Sequence, residues 1–119
     1  PKLTMVSAPT GPGALGTRTF IPHRCHQAIG VLGAVSVATA ARLPGSPAAQ
    51  VAAHSGETGD TGEAGDTGAA DTVLLEHPTG TFEAAVTISF DADGMPVAER
   101  SGIIRTARKL MDGMAYPRP

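Results

Sequence analysis

The stretch HRCHQAIGVLG, residues 23–33, gathers the side chains best suited to chemistry: His23, Arg24, Cys25 and His26, then glycines at 30 and 33. An almost wholly apolar run follows, to Ala41. Such a run reads as a buried helix, placed from about Ala28 to Ala41, yet it opens on glycine, the poorest helix former after proline. The first amides of a helix lack internal partners, and the dipole there is worth about half a positive charge. A helix that begins Gly30-Val31-Leu32-Gly33 thus offers four backbone N–H groups to an anion, with no side chain at 30 or 33 to bar its approach. His26 and Arg24 add hydrogen bonds or charge. The plainer reading gives the glycines to close packing and the histidines to an ordinary surface turn.

Neighbouring combinations carry less. His23, Cys25 and His26 lack a fourth ligand at sensible spacing, so no zinc site is expected. Cys25 stands between an arginine and a histidine, which favours a thiolate, but adjacent residues need not face each other, and a bystander thiol is the simpler reading.

The elements around this segment follow from patterning. KLTMVSAP reads as a strand ended by proline, and TGPGALGTRTFIP, with its glycines and prolines, as a loop. RLPGSP stops the helix: Arg42 suits the C-terminal dipole, and Pro44 and Gly45 cannot continue it. TVLLEHPTG reads as a strand ending in a turn. In TFEAAVTISF, Phe82, Ala84, Val86, Ile88 and Phe90 share one face of a half-buried strand. DADG is a hairpin turn, and PVAERSGIIRTARKLMDG supplies a returning strand and a further turn at Asp112-Gly113. The expected fold class is α+β: a mixed, mostly antiparallel sheet wrapped around a central helix.

Residues 55–71 stand apart. Glycine recurs at 56, 59, 62, 65 and 68, with Glu57, Asp60, Glu63 and Asp66 between. This is a collagen-type register, but it is short and has no proline among its triplets. The carboxylates could ligate calcium, yet on a glycine-rich backbone they have no fixed geometry. A flexible, acidic, solvated insert is the expectation.

Composition bounds the rest. At 119 residues the chain suits one domain, and its net charge of −2 calls for neither a nucleic acid nor an anionic membrane surface. Leu, Ile, Val and Phe make up 23 residues, and aromatics 3%. Small side chains bury little area at roughly 25 cal/mol per Å². The chain is therefore expected to be marginally stable alone, as a fragment or a partner-completed chain. One cysteine excludes an internal disulfide and suits a reducing compartment. No signal peptide is evident, and the apolar run from Ala28 to Leu43 falls short of the about 20 residues of a membrane span.

Taken in order, PKLTMVSAP, HRCHQAIGVLGAVSVATAARLPGS, EHPTGTFEAAV and RTARKLMDG resemble the C-terminal third of the PrpF-type isomerases. That family includes 2-methylaconitate cis–trans isomerase, 4-oxalomesaconate tautomerase and methylitaconate Δ-isomerase. RTARKLMDG resembles the family's terminal strand and turn. The resemblance implies a diaminopimelate epimerase-like fold: two similar halves, each a mixed sheet around a helix whose N-terminus meets substrate carboxylates. It implies cofactor-independent proton transfer by a lysine and a cysteine in an N-terminal half, which this chain would follow. On that reading the chain has no catalytic residue and no metal, is inactive alone, and Cys25 is not the family's catalytic cysteine. Substrate-binding positions would be His26, Gly30, Val31, Leu32, Gly33, Thr79 and Gly80. Thr79 stands where the family usually has serine. Gly30 stands where the epimerase has a second catalytic cysteine, a departure that argues against amino-acid racemisation. The implied partners are a small carboxylate substrate and the missing N-terminal half; a homodimer is left open, and the implied compartment is the cytoplasm. The runner-up is a non-catalytic binding or assembly module, with the glycine triplets as a flexible or collagen-like tract.

Removing residues 56–68 is expected to leave the circular dichroism spectrum and oligomeric state of the chain unchanged. A trimer lost with the deletion, or calcium-dependent ordering of the parent, would count against the solvated-insert reading.

Overall fold

In a computed structural model the chain is described over residues 2–54 and 72–118; the acidic glycine-triplet insert expected at 55–71 lies outside the described residues. The elements are β1 (Leu3–Ser7), β2 (Leu15–Phe20), α1 (Val31–Arg42), α2 (Pro47–His54), β3 (Thr72–His77), β4 (Gly80–Phe90) and β5 (Pro96–Ile103). They build one sheet in the order β1-β2-β3-β4-β5. Its strand pairs are antiparallel except β2 with β3, which run parallel. This is the mixed, mostly antiparallel sheet expected, with its helices packed on it.

Period-2 alternation decides which face meets the helices. Val73 and Leu75 of β3 and Phe82, Ala84 and Val86 of β4 point inward and are buried. They join Ala34, Val37 and Ala38 of α1 and Ala48 and Ala52 of α2 in one core. Alanine dominates the helical side of that core, so the helices lie close to the sheet and little apolar area is buried per residue. Phe90, at the far end of the strand, is 52% exposed. The register of β4 against β5 shifts between Thr87 and Ile88, and the strand runs on past the core.

Four boundaries differ from the sequence pattern. Residues 15–20, read as loop, form β2. Its inward positions are Leu15, Thr17 and Thr19, so two polar residues hide the apolar alternation. They are buried because their hydroxyls are satisfied: Thr17 Oγ1 donates to Glu76 O at 2.7 Å, and Thr19 Oγ1 lies 3.0 Å from Thr4 Oγ1. Helix α1 begins at Val31 rather than Ala28, with Gly30 as its N-cap in extended conformation. The Pro44-Gly45 stop is a break between two helices. Gly45 takes φ +80°, and Ser46 then caps α2 by accepting from Ala49 N at 3.0 Å, with Pro47 as first helical residue. Beyond Ile103 the chain forms neither helix nor strand, so RTARKLMDG supplies no strand and no turn at Asp112-Gly113. Among the described residues no helix is long and apolar enough to cross a membrane.

The parallel junction is the narrowest part of the sheet. Only Leu15↔Leu75 and Gly16↔Glu76 register across it. Glu76 reinforces it from the outer face. Its carboxylate accepts from Thr10 N at 2.7 Å, Gly11 N at 2.6 Å and Gly13 N at 3.0 Å, and from Thr10 Oγ1 at 3.2 Å. The amides of Thr10 and Gly13 do most to hold its pKa below the usual carboxylate value, against the opposing effect of burial. A Cβ on Gly13 would stand 2.5 Å from Glu76 Cγ and 3.1 Å from Leu74 O, so this loop needs glycine for room.

A depressed folded-state pKa gives stability that is present above the ordinary carboxylate range and is lost as pH falls through the folded value. Glu76→Gln is therefore expected to cost about 2 kcal/mol at neutral pH, from loss of charge-assisted bonds. The gap to the parent should close in acid. Urea unfolding of both proteins across pH checks this, and a gap independent of pH would refute it.

Candidate functional site

β2 and β3 run parallel, with the end of β3 beside the start of β2, and the candidate site is built from the segments that follow the two strands. After β2 the chain turns back on itself: Ile21 N donates to Arg24 O at 3.0 Å, Phe20 bridges Cys25, and His26 N donates to Thr19 O at 2.7 Å. Residues 23–26 are thereby folded against the end of β2. Next comes Ile29, 4% exposed, which anchors the approach to α1 in the core. The apolar residue sets the helix direction, and Gly30 then leaves the N-terminus facing solvent.

That N-terminus is bare. Gly30 makes no side-chain cap and the first turn holds no acidic residue. The first helical bond runs from Ala34 N to Gly30 O at 2.8 Å, so the amides of Val31, Leu32 and Gly33 precede the ladder. A Cβ on Gly30 would meet nothing within 4 Å. Open space therefore stands where the helix dipole favours negative charge. Gly33 differs: a Cβ there would touch Ile29 Cγ1 at 3.5 Å, ordinary packing contact. Leu32 and Gly33 also line a groove of about 460 Å³ against β1 and α2, away from the β3–β4 turn.

The remaining residues arrive from β3 and β4. Their two-residue turn, Pro78-Thr79, carries a hydroxyl that donates to Gln27 O at 2.8 Å across 52 residues of sequence. The turn and the lead-in to α1 are thus tied together at Gln27, which lies between His26 and Gly30 in the chain. The ring of His26 is held locally: its Nδ1 lies 2.9 Å from Ala28 O and 3.2 Å from Ala28 N. Gly80 pairs with His77 at φ +155°, a backbone that side chains rarely adopt.

Cys25 is exposed, and its thiol makes a weak 3.6 Å contact to His26 O. Among the described residues no cluster of three or more His, Cys, Asp or Glu could hold a metal.

His77 was not among the positions singled out from sequence. Its signal was present: it continues the inward set Val73, Leu75 to the end of β3, where it is half-buried.

The family model described as PrpF protein matches residues 4–118. The chain belongs to the PrpF family. PrpF relatives include the (4E)-oxalomesaconate Delta-isomerase of Novosphingobium sp. (strain KA1), 47% identical over 116 residues, which are 98% of this chain and 28% of that protein. Another is the 4-oxalomesaconate tautomerase of Pseudomonas putida KT2440, 41% identical over 114 residues, 96% of this chain and 27% of that protein. The PrpF chain described here thus spans somewhat over a quarter of the length of these curated relatives.

Thr79→Val, close in shape, is expected to cost about 1 kcal/mol by removing the bond to Gln27. Amide exchange should quicken across residues 27–30. Equal protection at 27–30 in both proteins would show that the tie does not hold the lead-in segment.

Proposed function

We propose that this chain is the substrate-binding C-terminal portion of a cofactor-independent isomerase or tautomerase. Its substrates would be small unsaturated di- or tricarboxylates of the 2-methylaconitate or 4-oxalomesaconate type. The single observation that carries this reading is the uncapped start of α1 at Gly30, open to solvent and free of acidic side chains. The names of the two PrpF relatives, an oxalomesaconate isomerase and an oxalomesaconate tautomerase, support the substrate class.

The chemistry asks for such a site. Moving a double bond beside a carboxylate means removing one proton and returning another, and negative charge spreads through the substrate in between. Fixed N–H donors at a helix end hold the carboxylate and need no reorganisation as that charge develops. In this proposal the amides of Gly30 to Gly33 receive a carboxylate, with His26 and the Thr79-Gly80 turn bordering it. The proton-transferring pair belongs to an N-terminal half of the same polypeptide. The chain alone binds without turnover, and the whole acts in the cytoplasm.

Gly30→Val places a branched side chain in the open space before the helix and touches no proton-transferring group. In an isomerase assembled from this chain and its N-terminal half, it should raise KM about ten- to a hundredfold, the worth of one charge-assisted hydrogen bond. An unchanged melting profile shows that the fold is intact. Parental KM in the folded variant would leave Gly30 a packing role only.

A further inference from the structure

We infer that Glu76 and the loop it grips form a carboxylate latch. Opening the latch frees the β1–β2 hairpin from β3 as a unit, while β3, β4, β5 and α1 stay folded.

The loop between β1 and β2 is held by β3 and by little of its own. Thr10 N and Thr10 Oγ1 both donate to Glu76 Oε2, and Gly11 N and Gly13 N both donate to Oε1. Pro12 has no N–H to give, and Ala14 N donates to Leu74 O. Every amide hydrogen from Thr10 to Ala14 is therefore spent on β3. Glycine lets the loop close on the carboxylate: a Cβ on Gly11 would stand 2.9 Å from Glu76 Oε1, and one on Gly13 would stand 2.5 Å from Cγ.

Little else joins the hairpin to the sheet. The β2–β3 ladder has two register pairs, against six between β3 and β4 and seven between β4 and β5. Ala14 and Leu15 are the hairpin's buried apolar residues. Thr4 and Val6 line the groove of about 460 Å³ with Val37 and Ala48, so β1 meets the helices only in part. A unit so tied opens at lower free energy than the strands that pair along their length.

No opposite charge backs the latch. Residues 3–14 carry no charged side chain. Arg18 of β2 shares the outer face, but its Nη1 donates to Thr17 O at 2.8 Å. Glu83 of β4 shares that face too, opposite Leu74, while Arg105 lies over the Phe82 ring at 5.6 Å. His77 falls on the inner face. Protonation turns one carboxylate oxygen into a donor and sets it against N–H groups that have no other acceptor. The folded pKa of Glu76 is lowered, so the latch is shut at neutral pH and opens as pH falls through that lowered value. The hairpin carries Thr19 O, on which His26 N depends, so opening also slackens the turn at 23–26.

Amide exchange followed by NMR on the 119-residue chain, over a falling pH series, tests this. Protection factors remove the intrinsic pH dependence of exchange. Gly13 and Ala14 should lose protection about ten- to a hundredfold as Glu76 protonates, while the amides of Ala84 to Val86 keep theirs. In Glu76→Gln the protection of Ala14 should already be low at neutral pH and should no longer change with acid. Equal loss at Ala14 and Ala84 throughout the series would show one cooperative unit and overturn the latch. Protection at Ala14 that survives acid in the parent, or that matches the parent's neutral value in Glu76→Gln, would overturn it too. The parent's own series decides the matter even where the variant does not fold.

Discussion

One carboxylate holds the two halves of this sheet in register. The β1–β2 hairpin and the β3–β4–β5 meander meet along a parallel ladder only two residue pairs long. Glu76 lengthens that junction sideways by gripping three amides of one loop at 2.6–3.0 Å. Its own carbonyl accepts from Thr17, and Ala14 N donates to Leu74 O at 2.8 Å just beyond. The carboxylate is held by neutral donors alone, so its charge is stabilised by oriented dipoles in a nearly dry setting. The loop that supplies them must run so close that Gly13 has no room for a side chain.

The candidate site depends on that register. The lead-in to α1 hangs from the end of β2, and the Pro78-Thr79 turn from the end of β3. Sliding one strand past the other by a residue would move the turn about 3.3 Å along the strand and reverse its faces. Thr79 would then miss Gln27, and His77 would leave the helix face. A structural glutamate on the outer surface thereby sets the position of groups on the inner one.

The site itself is made largely of backbone. Amides at the start of α1, a hydroxyl spent on a carbonyl and two imidazoles held by local bonds leave little that a residue-type search would flag. The core has the same character. Alanines at 34, 38, 48, 52 and 84 bring helices and sheet close together, so packing is achieved by proximity and little by bulk.

How much of this was legible in the amino-acid sequence depended on whether the signal was local. Apolar periodicity marked β1, β3, β4 and α1, and the run of motifs marked the PrpF family, because each is written in neighbouring residues. The Asp91–Gly94 turn was equally plain, since Gly94 alone supplies the φ of +77°. The β2 strand was hidden because Thr17 and Thr19 are buried by virtue of hydroxyl partners on β1 and β3, which no local window contains. Helix α2 was hidden behind Pro44 and Gly45, although Ser46-Pro47 carried its start signal. The glycines at 30 and 33 were visible as a pair, but only packing separates them: Gly30 faces open space, whereas Gly33 lies against Ile29. The tie from Thr79 to Gln27 and the face of the sheet that His77 occupies were decided by tertiary structure alone. They arise from strands that meet only after the chain has closed a loop of more than fifty residues, and the register of that meeting is set by Glu76.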